Sequence, residues 1–384
     1  MRPNMIFFQN GARCDGSSSI LDGQGHVTAV HLDSLRVSEI IVPSPRVRVS
    51  LRDMLRRNFI AVLLHSALHL GHVHTGTANT AVLKTVDGIV AVEEASKPFR
   101  LILDDERTRI VGGQWLFEKT PIAAHGATGI SNFTYSPFRA HALHIDGAPV
   151  DVPFSSFPFM IHSAARVRGD SDVFVLPVMS ARFGNFWEYV RGRIGMPLDE
   201  TFTSEWLLVN RTSGETAFID TRTMSNPLHV VEARRVGDQI EIYASHVASF
   251  TNILEETDAA RVAPALSFRK DVLDLGTMST VSTHDFVDAS GDFPNRISRN
   301  LVLINRLNTD GREQELVYFD TQTDRVVRRV HVEAGARDII YHRGKLLFCT
   351  LDHFLICDAR DGRVLTRLPI PPRLTNFHAA LIEA

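Results

Sequence analysis

The chain is short of cysteine, of tyrosine, of charge of either sign in excess and of long apolar runs, and each shortage removes a class of protein. Three cysteines in 384 residues, Cys14, Cys349 and Cys357, cannot build a disulfide framework, and no two are spaced C-x-x-C. A reducing, cytoplasmic setting is the simplest expectation. The 41 Lys+Arg against 44 Asp+Glu give a formal charge of −3, so no basic surface argues for nucleic acid. The most apolar stretch, 59–70, is broken by His65, Ser66 and His69. It falls short of the roughly 18 apolar residues of a transmembrane helix. The N-terminus has one Arg and an apolar run only from Met5 to Phe8, too little for a signal peptide. Without secretion, the sequons at Asn132 and Asn210 carry little weight. No Pro/Ser-rich linker divides the chain, and residues 1–384 are expected to form one domain.

What is present reads as short strands joined by tight turns. Apolar-rich runs at 89–92, 99–103, 173–176, 205–209, 239–243, 301–304, 316–319 and 345–350 have strand length. Between them stand turn signals: Asp87-Gly88, Asp146-Gly147, Gly237-Asp238, Asp310-Gly311, Arg343-Gly344 and Asp361-Gly362. Repeated hairpins with few helices predict an all-β meander. At this length a β-propeller, built from units of about 40 to 55 residues, fits with about seven blades. No tidy sequence repeat marks them.

Two stretches break the pattern. Residues 50–70 carry Leu51, Met54, Leu55, Phe59, Val62, Leu63 and Leu70 at helical spacing, with Arg52, Arg56 and Arg57 alongside. Such a helix either caps the propeller or lies on a membrane surface. Residues 186–194, with Trp187 and Tyr189, suggest a second short helix.

Seventeen histidines are the remaining bias. His65, His69, His72 and His74 form the densest group, and His65 and His69 are one helical turn apart. That segment lacks the Glu of H-E-x-x-H, so a zinc protease has no general base there. His125, His162, His229 and His378 lie far apart, and spacing alone leaves each as an ordinary half-buried imidazole.

A resemblance singles those four out. Phe8-Gln9-Asn10-Gly11, then Leu21-Asp22-Gly23-Gln24-Gly25-His26, resembles the R-N-G-P and F-D-G-D-G-M-x-H signatures of the carotenoid cleavage oxygenases. Thr77-Ala78-Asn79-Thr80 and Val90-Ala91-Val92-Glu93-Glu94, followed by Lys97-Pro98-Phe99, resemble N-T-A-N and A-L-x-E-x-G-x-P-Y. Ala124-His125-Gly126 stands for A-H-P-K, Met160-Ile161-His162 for M-I-H-D, Asp292-Phe293-Pro294 for E-F-P, and 371–378 for V-P-x-G-F-H. The pieces keep the family order across almost the whole chain. Gly126, Ser163 and Asp292 depart from it, replacing Pro, Asp and Glu. The chain is also compact, so the loops over the site are expected to be trimmed. The N-terminal segment of longer members has no counterpart, so closure of the last blade is expected to differ.

The resemblance implies a seven-bladed propeller with a reduced helical and loop cap. It implies one Fe(II) per chain, held on the axis by His125, His162, His229 and His378. Four neutral imidazoles suit ferrous iron. Glu94 and Asp292 are implied as carboxylates that orient ligand imidazoles, with a third acid at Glu333 or Asp338. The implied reaction cleaves a conjugated C=C bond with O2, giving two carbonyl products. Phe157, Phe159, Phe293 and Phe377 flank motif positions; they could face a cationic polyene intermediate or simply fill the core. Stilbene cleavers of the family carry a Lys where Glu93 stands, which favours a carotenoid or apocarotenoid here. A hydrophobic polyene comes from a bilayer, so 50–70 becomes a candidate peripheral membrane contact. The alternatives are a stilbenoid cleaver or retinoid-type isomerase on the same site, or a propeller that binds a lipophile without turnover.

Overall fold

A computed structural model describes residues 4–13, 24–44, 77–93, 96–118, 162–178, 203–248, 266–306, 313–373 and 375–384. It also describes the backbone of six short strands between 125 and 183. The candidate helices at 50–70 and 186–194, and Glu94, lie outside the described residues. All eight runs read as strands are strands, and among the described residues the single helical element is a 3-10 turn at Val287–Ala289.

Strands β1 (Met5–Ala12), β2 (His26–His31) and β3 (Arg36–Ile41) form one antiparallel sheet with the last strand, β30 (Thr375–Glu383), in the order β3-β2-β1-β30. The first and last strands of the chain therefore pair with each other inside one sheet. Next come β4 (Ala81–Thr85), β5 (Gly88–Val92), β6 (Phe99–Leu103) and β7 (Ile110–Trp115), a four-stranded meander. After the two-residue β8 (His125–Gly126), a three-stranded sheet follows: β9 (Asn132–Thr134), β10 (Ala142–Ile145) and β11 (Ala148–Asp151). Strands β12 (Phe157–Pro158) and β15 (Arg182–Phe183) make a small separate pair.

The next eight strands form two meanders. One comprises β13 (Ser163–Arg168), β14 (Val173–Val178), β16 (Glu205–Asn210) and β17 (Thr216–Asp220). The other comprises β18 (Asn226–Val236), β19 (Gln239–Val247), β20 (Leu266–Asp274) and β21 (Ser279–Asp285). Parallel pairing of β13 with β18 fuses them into one nearly closed sheet. Its two ends meet where Thr280 Oγ1 donates to the Asp220 carbonyl at 2.7 Å. The last meanders are β22 (Asp292–Arg296), β23 (Leu301–Arg306), β24 (Glu313–Asp320) and β25 (Arg325–Glu333), then β26 (Ile340–His342), β27 (Lys345–Cys349), β28 (His353–Asp358) and β29 (Val364–Pro369).

Burial differs between inner and outer strands. The early strands are covered on both faces, as in β2, whereas outer strands such as β21 and β29 are largely exposed. Apolar side chains fill the spaces between neighbouring sheets. Phe7 and Val30 of the closing sheet pack on Leu347 and Phe354, while Tyr243 and Phe268 pack on Val302, Val317 and Phe319. Asparagine amides staple adjacent units. Asn10 Nδ2 donates to the carbonyls of Ala78 and Ala81 at 2.9 Å each, and Asn376 Nδ2 to those of Cys349 and Thr350. This is an all-β, propeller-type arrangement of sheets.

Candidate metal centre

The early strands carry the chemistry inward. His162 stands just before β13, His229 lies within β18 and His378 within β30, and all three are buried. Ser163, where the family pattern has Asp, accepts the Val230 N–H on its hydroxyl at 3.0 Å. That bond ties the strand behind His162 to the strand of His229. The His378 N–H donates to the Thr80 carbonyl at 3.0 Å, anchoring β30 to the start of β4.

These three imidazoles point their Nε2 atoms at one another. His162 Nε2 is 2.9 Å from His229 Nε2 and 3.2 Å from His378 Nε2. In His229 and His378 the Nδ1 atom faces a carboxylate. His229 Nδ1 is 2.5 Å from Asp292 Oδ1, which also accepts from Ser245 Oγ at 2.6 Å. His378 Nδ1 is 3.3 Å from Asp338 Oδ2, which takes the Ala379 N–H at 2.9 Å. Asn295 Nδ2 donates to the other oxygen of Asp338.

Burial would raise the Asp292 carboxyl, but His229, the Ser245 hydroxyl and the Phe293 N–H together hold it well below the usual carboxylate range. An ionised Asp292 accepts the Nδ1–H of His229 and so turns Nε2 toward the centre. His378 is held well below its usual pKa by burial first, then by His229 and His162. His378 therefore stays neutral, with Nδ1–H toward Asp338 and a lone pair on Nε2. Three Nε2 atoms therefore converge on one point, where a cation would be a common partner for them.

The donor set fits a first-row metal ion. Imidazole nitrogen suits iron, zinc, copper and nickel. Two nitrogens in adjacent positions about 2.1 Å from an ion would be about 3 Å apart, matching the separations here. All three ligand atoms lie within 4.8 Å of one another.

The D-F-P segment shapes this centre. A register irregularity between Asp292 and Asn295 puts Phe293 in the left-handed region at φ 48°, rare for a bulky residue. The irregularity turns Asp292 toward His229 and Asn295 toward Asp338. Phe293 itself stacks on His229, with ring centroids 5.0 Å apart, and lies 5.2 Å from His378. The shorter Asp in place of the family's Glu thus reaches its histidine directly.

Of the other expected residues, His125 is placed by backbone only: β8 runs parallel to β13, with His125 opposite Ser163. Asp338 rather than Glu333 is the acid at the centre, since Glu333 pairs with Arg367 on an outer strand. Phe377 is buried beside His378, Phe157 is described in backbone only, and Phe159 lies outside the described residues. Glu93 is buried and accepts from Thr77 Oγ1 at 3.2 Å. Ser245 and Asn295 were not legible in the sequence, because a hydroxyl on β19 and an amide past the irregularity acquire roles only through register.

No protein-family description matches the chain by sequence, and no curated protein does. Solved structures do match it by fold. A variant of Synechocystis apocarotenoid oxygenase superposes with TM-score 0.69 at 15% identity, covering 99% of this chain and 93% of the other. Pseudomonas brassicacearum lignostilbene dioxygenase gives 0.70 at 14% identity, covering 100% and 92%. Cobalt-substituted Synechocystis apocarotenoid oxygenase gives 0.67 at 14% identity, covering 99% and 93%. The chain has the fold of these oxygenases over nearly its whole length.

Proposed function

We propose that this chain is a compact, divergent carotenoid cleavage oxygenase. In this reading it is a seven-bladed propeller, with β9–β11 as the blade between β7 and β13, holding one Fe(II) and cleaving a conjugated C=C bond of a carotenoid or apocarotenoid. One O2 and one double bond give two carbonyl products, so the atoms balance without a further reductant. The observation that carries the reading is the convergence of three Nε2 atoms, with Asp292 and Asp338 behind the Nδ1 atoms of His229 and His378. His162, His229 and His378 would hold the ion, with His125 as the fourth ligand.

Ferrous iron, when bound, supplies the activation of O2 at its open positions. The protein keeps three imidazoles aimed at one point. Ser245 and Asn295 hold the two carboxylates in place. Phe293 walls the centre with an apolar face, which keeps water from the reacting double bond. An apolar substrate partitions into a bilayer, and residues 50–70 are the segment proposed to meet it. Among the described residues no helix is long and apolar enough to cross a membrane.

A stilbenoid substrate is the second reading, favoured by the fold match to lignostilbene dioxygenase. The buried acid Glu93, where stilbene cleavers carry Lys, disfavours a phenolate. The test is a panel of carotenoids, apocarotenoids and stilbenoids incubated aerobically with iron-loaded protein, with carbonyl products identified by mass. Two carbonyl fragments from a polyene, lost in His229→Ala, are expected. Stilbenoid fragments alone would move the assignment to the second reading. No products from either class, with iron bound and the protein folded, would leave a lipophile-binding propeller.

A further inference from the structure

A cleft of about 380 Å³ opens where the two ends of the fused sheet meet, β17 on one side and β21 on the other. Its walls are the turn 221–223 after β17, Arg269 of β20 and residues 280–283 of β21. None of them belongs to the histidine centre. The volume is ordinary for a small-molecule site, but such sites are mostly apolar. Here Val281 is the one apolar lining residue, and the others carry hydroxyl or guanidinium groups.

Arg269 is buried and fixed. Its Nε and Nη2 donate to Asp285 at 2.8 and 3.0 Å, and its Nη1 donates to Ser225 Oγ at 2.8 Å. A guanidinium has five N–H donors, so one on each terminal nitrogen is left over. Arg222 is exposed. Its backbone sits in the left-handed region at φ 58°, where Asp220 Oδ1 accepts its N–H at 2.6 Å. Among the described residues its guanidinium has no hydrogen bond or ion pair.

The hydroxyls divide in two. Thr221, Thr280 and Thr283 turn their protons into the protein, toward the Ser204 carbonyl at 2.8 Å, the Asp220 carbonyl at 2.7 Å and Asp271 Oδ1 at 3.0 Å. The exposed Ser282 hydroxyl makes no such bond among the described residues. Nor, among them, does any carboxylate line the cleft. Asp285 is held by Arg269, and Asp271 by Thr283 and Trp206 Nε1. The cleft thus offers a ligand donors from three segments, two of them guanidinium groups. One fork satisfies a planar carboxylate, whereas a tetrahedral phosphate monoester presents three acceptor oxygens to donors on different walls.

We propose that this cleft binds the phosphate group of a phosphate monoester between Arg222 and Arg269. The site is separate from the histidine centre, and its test does not depend on the oxygenase reading. The protein is titrated with glycerol phosphate, with glycerol and with acetate, and binding is followed by calorimetry. Glycerol phosphate should bind, glycerol should not, and acetate should bind about tenfold more weakly than the ester. Arg222→Gln should weaken binding of the ester about tenfold, the usual effect of losing one charged donor. Ser282→Ala should weaken it less, and Arg269→Met should abolish it. Co-sedimentation with phosphatidylcholine vesicles, with and without phosphatidic acid, identifies the source of the phosphate. Retention that needs both phosphatidic acid and Arg222 places it on a lipid headgroup. Glycerol phosphate bound without any retention on vesicles places it on a soluble ester.

A folded protein that binds neither the soluble ester nor the vesicles would overturn the proposal. So would an affinity unchanged in Arg222→Gln, which is also what phosphate bound to a metal ion would show. Acetate binding as tightly as the ester would overturn the assignment to phosphate. If Arg269→Met does not fold, Arg222→Gln and Ser282→Ala decide the matter, since both residues are exposed.

Discussion

Asp292 is a buried carboxylate whose surroundings outweigh the cost of burying its charge. Its value to the site is orientation: it fixes the proton of His229 on Nδ1 and frees Nε2. Asp292→Asn keeps the shape but removes the charge that sets the tautomer. It should weaken metal binding about 10- to 100-fold, the usual effect of losing such a partner. A metal titration against a competing chelator checks this, and an unchanged affinity would remove Asp292 from the account. Lys97 shows the opposite balance. Burial draws its ammonium down to about 8, with Glu118 offsetting part of the effect. Below pH 8 the lysine is charged in both folded and unfolded chains, and the full burial penalty applies. Between pH 8 and about 10.5 the folded chain loses its proton first, so stability rises with pH. Lys97→Met should therefore stabilise the protein at pH 7 by up to about 3 kcal/mol, and by little at pH 11. Urea denaturation at both pH values reads this out. At this scale little was legible without the resemblance. His162 and His378 are 216 residues apart, and no periodicity links them.

At the scale of elements, local signals were legible and non-local ones were not. Runs such as 99–103 and 239–243 were readable as strands because alternation and flanking turns are properties of neighbouring residues. Gly88, Gly237, Gly344 and Gly362 all adopt the positive φ that their turn positions required. The parallel pairing of β13 with β18 could not be read, since it joins strands separated by four others in sequence. Nor could the irregularity at Phe293, which exists because Asp292 and Asn295 must face different partners. The glycine of the Q-N-G segment has its reason here as well. A Cβ on Gly11 would stand 2.1 Å from the Thr375 carbonyl oxygen, where β1 meets β30. Gly11→Ala should destabilise the protein by about 1–3 kcal/mol, because backbone on the facing strand must move. A fall in the urea midpoint checks this, and an unchanged midpoint would mean that the two strands approach less closely than described.

For the whole molecule, ring closure and the site are one problem. β30 completes the sheet that begins with β1 and also carries His378, so joining the chain's ends delivers a ligand to the centre. Other sheets supply the rest: His162 from just before β13, His229 from β18, Asp292 from β22, and Asp338 from the turn before β26. That division explains why composition and length pointed to a propeller while the centre itself stayed hidden. Its members come from five separate segments, and only closure brings them together. The central claim is that this point holds iron. The measurement is iron content by elemental analysis of protein purified with ferrous iron, beside His162→Ala. About one iron per chain in the unaltered protein, with little in the variant, is the expected result. A folded protein that takes up no iron would contradict the account.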